Sequence, residues 1–93
     1  MALLDLLGRR WALRVLWELR DGRALTFREL QARCDDVSSS VLNDRLRELR
    51  DAGIATTAPG GGYLLSSEGH ELLEALAPLD GWAKRWAEAR ASA

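Results

Sequence analysis

The feature that most constrains this fold is a series of helix and turn signals in the middle of the chain. Thr26 and Glu29 have capping-box spacing, in which the hydroxyl and the carboxylate each accept a backbone N–H at a helix start. The serine run Ser38–Ser40 opens a second helix, for which Ser38 is the expected N-cap and Ser39 the alternative, and Gly53 is expected to end that helix. The buried side of that helix is predicted from the spacing of Leu42, Leu46 and Leu49. The pattern predicts two short helices joined by a turn.

Two short extended runs follow directly. Ile54–Thr57 and Tyr63–Leu65 are rich in β-branched or apolar residues, and Pro59 and Gly60 lie between them. Proline and glycine at the two central positions predict a type II turn, with Gly60 at positive φ. Helix, turn, helix and two-stranded wing is the layout of a winged helix-turn-helix DNA-binding domain. We therefore expect a mainly α-helical fold with a small β-hairpin.

The segment before this series is predicted to be helical from about Leu3 to Arg20, with an interruption at Gly8. An apolar stripe is formed by Trp11, Val15 and Leu19, and it is widened by Leu13, Leu16 and Trp17. A stripe of this width indicates a helix that packs on the body of the domain. We expect both of its tryptophans in the core.

The C-terminal segment is predicted to form a helix from about Glu68, capped by Ser66 or Ser67. Pro78 is expected to kink or restart this helix, because proline has no N–H to donate. Trp82 and Trp86 lie four residues apart and therefore on one face. We interpret them as a dimer interface, since interface cores are rich in aromatic residues. Packing into the core of the same chain is the alternative.

Length and charge limit the possible functions. The 93 residues suit one domain, 1–93, with the helix-turn-helix at about 26–53, the wing at about 54–66 and the C-terminal helix at about 67–91. The formal net charge is −1, whereas DNA-binding domains usually carry a basic excess. From Arg9 to Arg50, however, basic residues exceed acidic residues by three, and from Asp51 onward three basic residues face six acidic ones. A DNA-binding surface is therefore expected in the first half.

Residues suited to catalysis or metal binding are few. The single cysteine, Cys34, cannot form an internal disulfide, and the chain shows no signal peptide or membrane-spanning run, which favours a cytoplasmic protein. Asp35 and Asp36 are expected to raise the pKa of Cys34, with Arg33 opposing them, so redox sensing is disfavoured. His70 has no cysteine or histidine cluster around it. We expect no metal, no cofactor and no enzymatic activity.

The motifs together resemble the HxlR-type winged-helix regulators, relatives of the MarR group. The resemblance is carried by Leu7–Leu13, Leu19–Leu30, Val37–Leu49, Ala52–Ile54 and Tyr63–Gly69. It implies a dimeric transcription regulator whose helix from Ser38 lies in the major groove and whose N- and C-terminal helices pair the subunits. The chain departs from the family pattern in two places: Leu3–Leu6 stand where many members carry a redox cysteine, and the wing tip, Ala58–Gly62, has no arginine or lysine.

The residues predicted to contact DNA lie on the polar side of the helix that begins near Ser38. They are Ser38, Ser39, Ser40, Asn43 and Arg47, joined by Arg28 from the preceding helix. An asparagine side chain can hydrogen-bond to adenine and an arginine to guanine, while serine or arginine can hydrogen-bond to a phosphate oxygen. Asp44 lies among them, and its carboxylate would either accept a hydrogen bond from cytosine or repel phosphate. A solvated polar helix face is the alternative interpretation.

For three more arginines, the sequence leaves two roles open. Arg9 and Arg10 lie near a helix start, where they either hold phosphates or are solvated surface charges. Arg45 projects toward the buried side of its helix, so an internal ion pair competes with a DNA contact.

The leading function is a sequence-specific, DNA-binding transcriptional regulator. It would read a pseudo-palindromic promoter site as a homodimer, with repression favoured by the habit of the family and with an unidentified small-molecule effector as a further possible partner. The competing function is a protein-interaction winged helix that has lost DNA binding. That alternative is motivated by the net charge, the uncharged wing and Asp44.

Overall fold

The computed structural model describes residues 2–92 and has five helices and one hairpin in that range. The elements are α1 (Leu3–Leu7), α2 (Ala12–Glu18), α3 (Phe27–Arg33), α4 (Ser39–Asp51), β1 (Ala55–Thr57), β2 (Tyr63–Leu65) and α5 (Ser67–Ser92). The two strands are antiparallel, with Ala55 opposite Leu65. The predicted winged helix-turn-helix is confirmed.

The helix-turn-helix consists of α3, a sharp turn and α4. Both halves of the predicted capping box are present, because Thr26 Oγ1 accepts the Glu29 N–H and Glu29 Oε1 accepts the Thr26 N–H, each at 3.1 Å. After α3, Asp35 and Asp36 adopt left-handed φ values of 55° and 56°, which turn the chain. Ser38 then caps α4 by accepting the Val41 N–H at 3.3 Å. These local bonds fix where each helix begins.

The core lies between α2, α3, α4 and the hairpin. The predicted inner side of α4 is confirmed, because Leu42, Leu46 and Leu49 are all buried. They pack in one cluster with apolar residues of α2 and with Leu30 of α3. Burial of this stripe leaves the opposite, polar side of α4 facing outward.

The first helical segment is interrupted after α1, at Gly8, as predicted, but one of its two tryptophans differs from its prediction. Gly8 follows α1, and Trp11, at a left-handed φ of 76°, precedes α2, so the segment is two short helices. Trp11 packs against the core as expected. Trp17 does not, because half of it is exposed and the Arg20 guanidinium lies 4.1 Å from its ring centre. The buried side of α2 is filled by Val15 and Leu16, so the widened stripe continues onto the surface.

The hairpin turn also differs from its prediction. Gly61 N–H donates to the Ala58 carbonyl at 2.9 Å, and positive φ falls at Gly61 and Gly62 rather than at Gly60. The type II prediction is therefore wrong. A turn followed by left-handed glycines matches the right-handed twist of the two strands. A type II turn would instead splay the strands apart. The sheet is widened at the turn end of β2 by Leu25, which exchanges two backbone hydrogen bonds with Tyr63.

Helix α5 is anchored at its start and leaves the body of the domain at its end. Ser66 caps it by accepting the Gly69 N–H at 3.0 Å, and the same hydroxyl bonds the carbonyls of Gly53 and Ile54. The helix continues through Pro78, contrary to the predicted restart. Pro78 and Glu74 are both exposed there, so water can satisfy the carbonyl that loses its helical donor. Across residues 2–92, no helix is both long and apolar enough to cross a bilayer.

Candidate nucleic-acid interface

The outer side of α4 carries the side chains that were predicted to contact DNA. The exposed residues on it are Ser38, Ser39, Ser40, Asn43 and Arg47. Arg28 is exposed as well, on the second residue of α3, and has no ion pair within 4 Å among residues 2–92. The structure therefore groups the α4 residues along one helix face and places Arg28 on the neighbouring helix.

The start of α4 is tied to α3 through an amide that the sequence analysis missed. Gln31 Nε2 donates to the Val37 carbonyl at 2.9 Å and to Ser39 Oγ at 3.1 Å. Gln31 lies one turn after Phe27, on the packed side of α3, which was its only signal in the sequence. Ser39 accepts this bond and keeps its own O–H free to donate, whereas the hydroxyls of Ser38 and Ser40 lie 3.5 Å apart and are hydrogen-bonded to each other.

Asp44 and Arg47 form an ion pair on the outer face. Arg47 Nη2 lies 3.1 Å from Asp44 Oδ1, and their side chains are 67% and 47% exposed. An exposed pair of this kind contributes at most about 1 kcal/mol. The carboxylate therefore orients the guanidinium without holding it strongly, and an incoming phosphate or base edge can displace it.

Arg45 forms an internal ion pair, which was one of its two predicted roles. Its Nε lies 2.8 Å from Glu48 Oε1, although the N–H is not directed along a hydrogen bond, and both side chains are about 15% exposed. Glu48 also pairs with Arg9 at 3.4 Å, and Arg45 Nη1 donates to the Arg10 carbonyl at 3.3 Å. This cluster joins α4 to the segment before α2. The charge of Arg45 is therefore used within the fold.

A cleft of about 430 Å³ opens between the outer side of α4 and strand β2. Its lining is formed by Ser40, Asn43, Asp44, Leu46, Arg47, Arg50 and Tyr63. Arg50 and Tyr63 were not among the predicted contacts, because Arg50 lies in the last turn of α4 and Tyr63 lies on the hairpin. Only the packing of the hairpin against α4 brings Tyr63 to this face.

Cys34 is completely buried at the end of α3. Burial raises the pKa of its thiol, Arg14 opposes this, and Asp35 adds a smaller upward effect. The predicted direction is confirmed, although desolvation rather than the neighbouring carboxylates is the main cause. A buried neutral thiol is a poor nucleophile. Within residues 2–92, no three His, Cys, Asp or Glu side chains are grouped to hold a metal ion.

Helix α5 presents a second surface, which is apolar. Trp82 and Trp86 stack with ring centres 6.1 Å apart and an interplanar angle of 12°, and each is about half exposed. Packing into the core of the same chain, the alternative for this pair, is therefore wrong. Beside it, a groove of about 610 Å³ separates α2 from α5, lined largely by apolar side chains that include Leu13, Trp17 and Leu79.

Comparison with known proteins agrees with this architecture. The model of the HxlR-like helix-turn-helix family matches residues 6–91. The uncharacterized HTH-type transcriptional regulator YvaP of Bacillus subtilis is 30% identical, over 88% of this chain and 81% of YvaP. The quinone-bound structure of YodB from B. subtilis aligns with a TM-score of 0.80 at 28% identity, covering 88% and 90% of the two chains. A MarR-family regulator from Enterococcus faecalis aligns at 0.82 and 30% identity, covering 97% and 86%.

Proposed function

The chain belongs to the HxlR-like helix-turn-helix family of transcriptional regulators, and from this premise we propose that it binds DNA sequence-specifically and represses transcription. The observation that carries the proposal is the uncovered polar side of α4, whose inner side is locked into the core by three leucines. A helix held in this way can enter the major groove without rearrangement. We propose a cytoplasmic location as well, because a regulator of this kind acts on DNA.

Within this proposal, Asn43 and Arg47 read bases, while Ser38, Ser40 and Arg28 hold phosphates. Side chains near the start of a recognition helix reach base edges most directly, and an amide or a guanidinium can make two hydrogen bonds to one base. Ser39 contributes through its bond to Gln31, which fixes the angle at which α4 leaves the turn.

The test is a fluorescence-anisotropy titration with the promoter fragment of its own gene and a scrambled fragment, at several salt concentrations. Preferential binding that weakens steeply with salt is expected, because phosphate contacts release counterions. Asn43→Ala should lower the preference by roughly 1–3 kcal/mol, as one lost base contact does. The matched control is Glu88→Ala, which changes an exposed residue of α5, far along the chain from α4.

We further propose that the protein acts as a homodimer on a pseudo-palindromic site, with Trp82 and Trp86 in the interface. Two half-exposed, stacked indoles on a projecting helix form an apolar surface that water solvates poorly. Sedimentation equilibrium should give a dimer for the wild type and a monomer for the Trp82→Ala, Trp86→Ala double variant. Lys84→Ala, on the same helix, should remain dimeric, and a dimeric double variant would contradict this assignment.

A protein-interaction domain that no longer binds DNA is the second candidate. It is favoured by the ion pair through which Asp44 partly neutralises Arg47. Equal, weak and salt-insensitive binding to both fragments would favour it over the DNA-binding proposal.

A further inference from the structure

We infer that the cleft between α4 and strand β2 holds a phosphodiester group of the DNA backbone, bound by the Tyr63 hydroxyl and the Arg50 guanidinium. The inference rests on the proposed DNA-binding function and adds two residues that were not among the predicted contacts. The tip of this wing, Ala58–Gly62, is uncharged, whereas Tyr63, which follows it directly, lines a cleft together with Arg47 and Arg50.

The Tyr63 hydroxyl is unused within the described chain, and the backbone that carries it is held in place. Tyr63 is fixed by two backbone hydrogen bonds to Leu25, at 2.7 and 3.0 Å, and by its pairing with Thr57 across the hairpin. Its side chain is half-buried, and its hydroxyl has no hydrogen-bond partner among residues 2–92. A phenol that lines a polar cleft and is unpaired within the described chain is suited to donate to an external acceptor.

The charge of the cleft comes from Arg50. Arg47 is already paired with Asp44, whereas Arg50 has no ion pair within 4 Å in the described part of the chain. Arg50 and Arg47 also line a second groove of about 340 Å³, together with Asp51 and with Thr56 of β1. The acceptor that suits a phenol and an unpaired guanidinium is an anionic oxygen.

Helix geometry identifies that oxygen as backbone phosphate rather than a base edge. Ser40 and Arg50 are ten residues apart on α4, which is roughly 15 Å along the helix axis. The major groove is about 12 Å wide. When the start of α4 lies in the groove, its last turn and the adjoining hairpin therefore reach the sugar–phosphate strand at the edge.

The experiment compares Tyr63→Phe and Arg50→Gln with the wild type on one fluorescent duplex of arbitrary sequence, because phosphate contacts carry no base information. Tyr63→Phe should bind about five- to tenfold more weakly with an unchanged salt slope, since a neutral hydroxyl displaces no counterion. Arg50→Gln should weaken binding and reduce the slope by about one. Thermal melts should match the wild type, because neither side chain bonds to another part of the described chain.

Two matched controls isolate the cleft. Thr57→Val removes a hydroxyl from the residue opposite Tyr63 but outside the cleft, and Arg85→Gln removes one charge from α5. Both should keep wild-type affinity within about twofold and keep the wild-type slope. Wild-type affinity in both Tyr63→Phe and Arg50→Gln would overturn the inference alone. A wild type that shows no salt-dependent binding would overturn the inference together with the proposed function.

Discussion

Gly69→Ala should destabilise the protein strongly, although alanine normally favours a helix over glycine. Gly69 is buried in the first turn of α5, where the helix meets the end of α4 and the hairpin. A Cβ at this position would lie closer than 3.0 Å to the Ile54 carbonyl oxygen and 3.1 Å from the Leu65 Cβ. The oxygen cannot move away easily, because it accepts the Ser66 N–H at 2.9 Å and the Ser66 hydroxyl at 3.0 Å.

The size of the effect follows from two opposing contributions. Overpacking costs about 1–3 kcal/mol, and a clash with a pinned backbone atom belongs at the upper end of that range. Helix propensity returns less than about 1 kcal/mol. We therefore expect the free energy of unfolding to fall by about 2 kcal/mol, which lowers Tm by roughly 8–16 °C in a domain of this length.

The assay is urea unfolding followed by circular dichroism, with all variants at one protein concentration because dimerisation would stabilise them by mass action. The control is Gly81→Ala in the same helix, where the nearest atom to a new Cβ is the mobile Arg85 Nη1 at 3.5 Å. That change should stabilise the protein by about 0.5–1 kcal/mol. The packing argument would be refuted if Gly69→Ala were as stable as the wild type, or if both variants lost stability equally.

Three further predictions concern the capping hydroxyl, the buried thiol and the capping box. Ser66→Ala should lower the free energy of unfolding in urea by about 1–2 kcal/mol, because the helix cap and the hydrogen bond to the Gly53 carbonyl are both lost. Ser66→Thr keeps the hydroxyl and should retain most of that stability. Equal losses in the two variants would argue against the cap. Cys34 should react with a disulfide reagent more than about tenfold faster in urea than in native buffer, because burial raises its pKa and blocks access; similar rates would contradict its burial. The hydrogen bond from the Thr26 N–H lowers the pKa of Glu29 below its ordinary value of 4.5, so its contribution to stability is complete above that pH and is lost as pH falls through the lowered pKa. The stability difference between wild type and Glu29→Gln should therefore change in acid but stay constant near neutrality, and a difference that is the same at every pH would rule this out.

The helix caps and the buried side of α4 could be predicted from residue types alone. The Thr26–Glu29 capping box, the Ser38 cap and the α4 leucine stripe were all predicted and confirmed, because each depends on atoms within a few residues of one another. The same locality explains the error at the turn. Proline and glycine favour several turns, and the twist of the paired strands selected the one with positive φ at Gly61 and Gly62.

The surface assignments depended on contacts between distant segments. The helical period placed Trp17 beside the buried stripe of α2, but whether another element covers that side depends on how α5 packs, and the structure leaves the indole half exposed. Arg45 could be assigned either to an internal pair or to DNA until the segment before α2 was seen to contact it. Periodicity defines the faces of a helix, but it does not say which face finds a partner.

By itself, the sequence determined the order of the elements, the ends of the helix-turn-helix and the family pattern, since these arise from short-range capping, turn and periodicity effects. Only the tertiary structure decided that Gln31 sets the start of α4, that Ile54 and Gly69 lock α5 to the hairpin, and that Tyr63 joins Arg50 in one cleft. The physical reason is that these pairs, apart from Gln31 and Ser39, are separated by more than a dozen residues. Contact between such distant residues depends on how the whole core packs, which no local sequence pattern predicts.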